Sequence, residues 1–370
     1  MQRPIHPLTG ADLRTLRGLL ATRGAPAARH WPATAGMLAS AAARAPFSAV
    51  ERVITARAVR REPPAAPVVV VGHWRSGTTH LFNLLAAAGE MAHATPVAVG
   101  LPHDLRGLAR PLDPLLRRAI PARRGIDPMT VGPLAPQEDE IALAAMGAPS
   151  YYHGIYFPRD IERAMRTGVF FDECGEGDRA RWRDALRTFT AKMSLAGGHR
   201  RVLIKNPAHT ARLREILHLW PDVQIVHIVR EPCAVHHSTQ RMFTDLLGML
   251  ALQDHDSAAV DRVVNETYPR MMAAAARDLS GLPAHRAVTV SFEHLTARPL
   301  EVIAHIARRL QLPNRRALLD GAASHLQRVA SYSSRTHTIP VGTRTAVERH
   351  WRAQAAYWGY ESPAVPAEVI

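Results

Sequence analysis

The sequence predicts an α/β protein: a central parallel sheet flanked by helices, carrying a phosphate-binding loop and preceded by a helical N-terminal extension. Three observations predict it. Short apolar runs, Val68 to Val71, Val202 to Ile204, Val223 to Val229 and Ala287 to Val290, alternate with helical spacing, the rhythm of parallel strands joined by crossover helices. The first run passes directly into a turn framed by Gly72 and Gly77, and the turn passes directly into a helical pattern. Residues 1 to about 60 are rich in Ala, Leu and Arg at helical spacing, as in Leu13, Leu16, Leu19 and Leu20, and end at a Pro-rich link, Glu62 to Pro67.

These features divide the chain into a helical extension, 1–64, and one α/β domain, 65–370. Its 370 residues, 47% hydrophobic and 21% charged, suffice for a large core and exclude a disordered chain. Between the first two strands lies a long stretch, 96–198, rich in Pro, Gly and aromatics. An insertion of that size reads as a lid or substrate-binding region. The formal charge of +14 suggests anionic company, although nearly all of the excess is arginine, with Lys192 and Lys205 the only lysines. Cys174 and Cys233 make no metal-ligand spacing and read as reduced thiols of a cytoplasmic protein. No stretch reaches about 18 uninterrupted apolar residues. The basic N-terminal helices allow peripheral contact with the inner face of a membrane, against the simpler reading of a solvated face.

The turn Gly72-His73-Trp74-Arg75-Ser76-Gly77-Thr78-Thr79 has the glycine frame of a nucleotide phosphate loop, with threonine where the lysine belongs. A turn between a buried strand and a helix N-terminus aims backbone N–H groups and the helix dipole at one spot, where an anion belongs. Ser76, Thr78 and Thr79 add hydroxyl donors, and Arg75 adds a planar fork suited to phosphate or sulfate oxygens. Leu81, Leu84, Leu85 and Ala88 fall on one helical face, with Gly89 as the stop.

A second constellation runs from Arg201 to Phe243 and holds two successive strand-to-helix units. In open α/β sheets ligands collect at the carboxyl ends of strands, which puts Arg75, Lys205, His209 and Arg230 on one rim. Ser238 follows Arg230 by eight residues, about two turns along the next helix, so the pair can clamp a second phosphate of the same ligand.

In these residues the chain resembles the sulfotransferases that use 3′-phosphoadenosine-5′-phosphosulfate, and within them the bacterial branch related to carbohydrate sulfotransferases. The resemblance covers roughly Pro67 to Trp358. It implies that Arg75, Ser76, Gly77, Thr78 and Thr79 bind the 5′-phosphosulfate, that Arg230 and Ser238 bind the 3′-phosphate, and that Lys205 supports the departing charge. The implied reaction moves a sulfuryl group onto a hydroxyl or amine of a small-molecule, carbohydrate or lipid acceptor, without a metal. The chain departs from the cytosolic small-molecule branch in lacking the first-loop lysine and a late Arg-Lys-Gly motif, which leaves adenine recognition unassigned; Arg335 or Arg344 could add a 3′-phosphate contact.

Such a reaction needs a general base within hydrogen-bond reach of the acceptor. His209, near the start of a helix on the rim, is one candidate; Glu138 and Glu140, in the acidic cluster Gln137 to Glu140, are the others. Pro136 and the acids after it also read as an ordinary helix start. His73 reads as a packing residue of the loop, Glu293 as a brace, His153 as part of an aromatic cluster, and His236-His237 lacks a spaced partner ligand for a metal. Two alternatives belong to other classes. A phosphate-loop kinase using ATP and magnesium would want the missing loop lysine. A basic nucleic-acid or membrane-surface binder would want basic residues interleaved with aromatics, a pattern the sequence lacks, so nucleic acid is not expected as a partner.

Overall fold

The computed structural model describes residues 5–107, 132, 134–329 and 339–360. The N-terminal helices are α1 (Leu13–Arg23) and α2 (Trp31–Arg61). Asp12 caps α1, its carboxylate accepting the Thr15 amide at 2.8 Å, and Gly24 ends it at a φ of 82°. Leu16 and Leu19 of α1 and Met37 and Ala41 of α2 join the core. Further along, α2 docks by polar contacts. Arg44 pairs with buried Asp104 and donates to the carbonyls of Thr9 and Ala11 at 2.8 and 2.6 Å. The Glu51 carboxylate accepts Lys192 at 2.6 Å and the amides of Arg106 and Gly107 at 2.8 Å each.

Four strands, β1 (Val68–Val71), β2 (Leu203–Lys205), β3 (Gln224–Val229) and β4 (Ala287–Ser291), form one parallel sheet in the order β2-β1-β3-β4. All four coincide with the apolar runs of the sequence. The second and third each start one residue late, and Val202 pairs with Ala92 in an isolated bridge instead. Parallel strands joined by crossovers bury both faces, which explains why β1 is valine throughout. Val68 and Val70 face the core built with α3 (Thr78–Ala86), and Val69 and Val71 face the opposite core.

Further helices, in chain order, include α4 (Glu140–Ala145), α5 (Glu176–Ala196), α6 (Leu213–Leu219), α7 (Pro232–Leu250), α8 (Ala258–Leu279), α9 (Pro299–Arg309), α10 (Arg315–Val329) and α11 (Val341–His350). The apolar faces of α3, α9 and α10 cover one side of the sheet, and those of α5 and α6 the other. A third cluster joins α1, α2, α7 and α8 beyond the carboxyl ends of the strands, around Trp74, Phe243, Tyr268 and Trp351. Each fully buried leucine of α3, Leu81, Leu84 and Leu85, contributes about 2 kcal/mol of transfer free energy. A charge at Leu84 would sink α3 and the turn that feeds it.

Candidate active site

The carboxyl ends of all four strands lie on one edge, and the glycine-framed turn leaves β1 there. Its conformation is set by close approaches. Gly72 sits at φ 149°, where an added Cβ would lie 2.4 Å from the Ile228 carbonyl oxygen of β3. Gly77 sits at φ 92°, where a Cβ would lie 2.2 Å from the Phe292 ring. Only glycine meets either demand.

Neighbouring strand ends hold the turn in place. Thr210, beyond β2, accepts the Gly72 amide at 2.8 Å, and Thr239 of α7 donates to the Trp74 carbonyl at 3.4 Å. Arg230, at the end of β3, donates to the Arg75 carbonyl at 3.0 Å, and Arg75 in turn donates through Nε to the Ser238 hydroxyl of α7 at 2.8 Å. The structure therefore brings Arg75, Ser76, Gly77, Thr78, Thr79, Arg230 and Ser238 together at one place. The Arg230 guanidinium lies 4.2 Å over the Phe292 ring, so one aromatic side chain spaces both Gly77 and Arg230.

The electrostatics favour an anion. Gly77 caps α3 without any side-chain cap, so the first-turn amides of the helix face the turn as orphan donors. Burial lowers the Arg230 pKa, which Glu293 offsets and the nearby Arg75 charge lowers further. Two guanidiniums of like charge at a half-buried site gain most from a multiply charged anion between them. These donors, the amides, the hydroxyls and two forks, suit an anion rich in oxygen acceptors. Glu293 braces the edge: its carboxylate accepts the Glu231 amide at 3.0 Å and the Tyr360 hydroxyl at 2.8 Å.

The acidic cluster splits three ways. Glu138 accepts Lys205 Nζ at 3.0 Å and the hydroxyls of Tyr151 and Tyr152 at 3.3 and 3.4 Å. Burial, and then the Glu138 charge, push the Tyr151 phenol well above its usual range, so it stays protonated and donates. Trp74 Nε1 donates to the Tyr151 hydroxyl at 3.2 Å and so links the loop to this carboxylate. Asp139 accepts His209 Nε2 at 2.9 Å and Asn206 at 2.8 Å. Glu140 binds Arg212 through both oxygens, at 2.8 and 3.1 Å, and accepts Ser150 at 2.7 Å. The Arg212 guanidinium is held between the rings of Phe171 and Trp182, 5.3 Å from each. His209 and Glu140 are 0% exposed, inside the protein, while the Glu138 side chain keeps 16% of its surface.

Sequence reasoning missed Thr210, Phe292, Asn206 and Arg212. Their contacts reach across 60 residues or more, and no local spacing announces them. His73 is buried among Trp74, Tyr268 and Trp351, with Nδ1 donating to the Trp74 carbonyl at 3.0 Å. His153 is likewise buried and bonded to the Ala144 carbonyl at 3.0 Å. His236 pairs with Asn265, and no group of three potential ligands for a metal occurs among the described residues. Arg344 is exposed on α11; Arg335 and most of the 108–133 stretch, part of the expected lid, lie outside the described residues.

A sequence model described as the sulfotransferase family matches residues 67–316. Two curated mycobacterial proteins, from Mycobacterium bovis and Mycobacterium tuberculosis, each named omega-hydroxy-beta-dihydromenaquinone-9 sulfotransferase Stf3, are 26% identical over 297 residues, 80% of this chain and 75% of theirs. Among solved structures, the sulfotransferase STF9 of Mycobacterium avium superposes with a TM-score of 0.65 at 15% identity, over 83% of this chain and 82% of its own. The sulfotransferase STF1 of Mycobacterium tuberculosis gives 0.58 at 16% identity, over 91% and 90%. At that identity the two structures share the fold.

Proposed function

The chain belongs to the sulfotransferase family, and from that premise we propose that it transfers a sulfuryl group from 3′-phosphoadenosine-5′-phosphosulfate to an acceptor hydroxyl or amine. One observation carries the donor assignment: the Arg230 side chain is bonded to the Arg75 carbonyl, so two anion-binding elements 155 residues apart share one edge. The loop amides, Ser76, Thr78, Thr79 and Arg75 hold the 5′ end. Arg230 and Ser238 hold the 3′-phosphate.

The acceptor oxygen bonds to sulfur as the bond from sulfur to the 5′-phosphate oxygen breaks, and charge builds on the leaving phosphate. Lys205, a compact cation, stabilises that charge, and Glu138 takes the acceptor proton. Of the three base candidates, His209 is bonded to Asp139 and Glu140 to Arg212 inside the protein, which leaves Glu138 as the partly exposed carboxylate next to Lys205. Their 3.0 Å contact sets the base and the leaving-group cation side by side, which supports their serving one reaction centre.

For the acceptor we favour an alcohol on a hydrophobic molecule. The 26% identical relatives are named for an omega-hydroxylated dihydromenaquinone, an alcohol of that kind. Cys174 and Cys233 are free thiols, which supports cytoplasmic work.

Calorimetry tests the donor. The protein should bind 3′-phosphoadenosine-5′-phosphate and not ATP with magnesium; binding only ATP would make it a kinase, and binding neither would leave the loop without a nucleotide. Glu138→Gln should lower kcat by roughly 10²- to 10⁴-fold with unchanged affinity for the bisphosphate. An unchanged kcat would remove Glu138 as the base.

A further inference from the structure

The polarity of α2 is inverted over its second half. The side facing the protein carries Arg44, Ser48, Glu51 and Thr55, all buried. The outward side carries Phe47, Val50, Val53 and Ile54, exposed by 51%, 59%, 50% and 49%. Phe47, Val50 and Ile54 stand at i, i+3 and i+7, one line along the helix, with Val53 beside it. Arg57 and Arg61 continue that line toward the C-terminus, with Arg60 at its flank, and all three are exposed. A helix that hides its ion pairs and shows water its largest apolar side chains is arranged for contact with something apolar.

We propose that this face of α2 lies on an anionic lipid bilayer, with Phe47, Val50, Val53 and Ile54 in the headgroup–acyl boundary and Arg57, Arg60 and Arg61 on lipid phosphates. Charge complementarity selects this partner. The one acid of α2, Glu51, points inward, so the outward face offers no carboxylate to these arginines, and a second copy of the same face would offer none either. Phosphates answer all three. From Phe47 to Arg61 the helix runs about 21 Å at about 1.5 Å per residue, a length suited to lying along an interface. No helix among the described residues is long and apolar enough to cross a membrane. The surface is separate from the phosphate-binding edge, so lipid binding and donor binding can fail independently.

Cosedimentation of the whole protein with vesicles tests this. Vesicles of phosphatidylcholine with phosphatidylglycerol should carry the protein down at low salt, and phosphatidylcholine alone far less. Phe47→Ser, Val50→Ser and Ile54→Ser together should weaken partitioning by at least about tenfold. Arg57→Gln, Arg60→Gln and Arg61→Gln together should weaken it similarly and remove its salt dependence. Both variants should keep the wild-type Tm and affinity for 3′-phosphoadenosine-5′-phosphate. The proposal is overturned by a wild-type protein that ignores anionic vesicles, by a serine variant that binds them equally well or melts early, or by light scattering that finds a dimer which the serine variant alone breaks.

Discussion

Arg230 donates a 3.0 Å hydrogen bond to the main-chain carbonyl of Arg75, and Arg75 reaches on to Ser238. The residues meant for one end of the donor therefore also hold the backbone meant for the other end. Lysine at 230 would keep the charge and lose the planar fork. Arg230→Lys should weaken binding of 3′-phosphoadenosine-5′-phosphosulfate roughly 10- to 100-fold, and Ser238→Ala up to about tenfold, the range for bonds to a charged ligand. Adenosine-5′-phosphosulfate, without the 3′-phosphate, should lose less, since only the loosened Arg75 backbone acts on it. Equal losses for both ligands by calorimetry would show that neither residue reads the 3′-phosphate.

The two glycines of the turn predict different degrees of damage. Alanine at 72 would drive Cβ to 2.4 Å from a strand carbonyl, which cannot move without disturbing β3. At 77 the obstacle is the Phe292 ring, which can be cut away. Gly72→Ala should therefore cost about 2–4 kcal/mol, and Gly77→Ala somewhat less. Phe292→Ala should rescue part of the Gly77→Ala loss by clearing the clash, with about 1 kcal/mol of positive-φ strain left over. Urea unfolding of the single and double variants decides the matter. Strict additivity would mean that Phe292 is not the obstacle.

The strand, turn and helix from Val68 to Ala86 were legible because every signal there is local: valines on both faces of a buried strand, glycines where φ demands them, leucines at helical spacing. The division of labour in the acidic cluster was not. Glu138, Asp139 and Glu140 are adjacent, yet their partners Lys205, His209 and Arg212 lie 67 to 72 residues later and in three directions. A helix-start pattern looks the same whichever acid ends inside. The outward stripe of α2 was hidden for a related reason. Alanine and arginine suit either side of a helix, and only the buried Asp104 and Lys192 show which side faces in.

That division predicts opposite phenotypes for two neighbouring glutamates. Glu140 and Arg212 form a buried pair with 0% side-chain exposure on each. Glu140→Gln would leave the Arg212 charge buried without its counterion, and should cost about 3–5 kcal/mol. Replacing both, with Glu140→Leu and Arg212→Met, should recover much of that loss. Glu138→Gln should leave the Tm near wild type. Thermal unfolding of the four proteins separates the roles, and a wild-type Tm for Glu140→Gln would show that the pair does not hold this edge together.

Acid should unfold the protein through its buried histidines. Burial lowers His73 and His227 to about 3, and His6 and His153 to about 4, from an ordinary value near 6.5. For His73 the hydrogen bond to the Trp74 carbonyl opposes that fall without reversing it. The unfolded chain thus binds protons that the native one refuses, so stability rises with pH and is lost as pH falls below about 6.5. Each histidine contributes a slope of about 1.4 kcal/mol per pH unit until its own folded pKa is reached, and four together roughly 5. Since small domains hold about 5–15 kcal/mol in all, unfolding should set in between about pH 5 and 4. His73 sits inside the glycine turn, so its protonation would force a charge into the base of the anion site. Asparagine can keep the bond to the Trp74 carbonyl without a titrating ring, and His73→Asn should flatten the stability curve below pH 6.5 by about 1.4 kcal/mol per unit. Stability measured by urea unfolding from pH 7.5 to 4.5 gives the slope directly, and a slope unchanged by that substitution would mean His73 already carries its proton in the native fold.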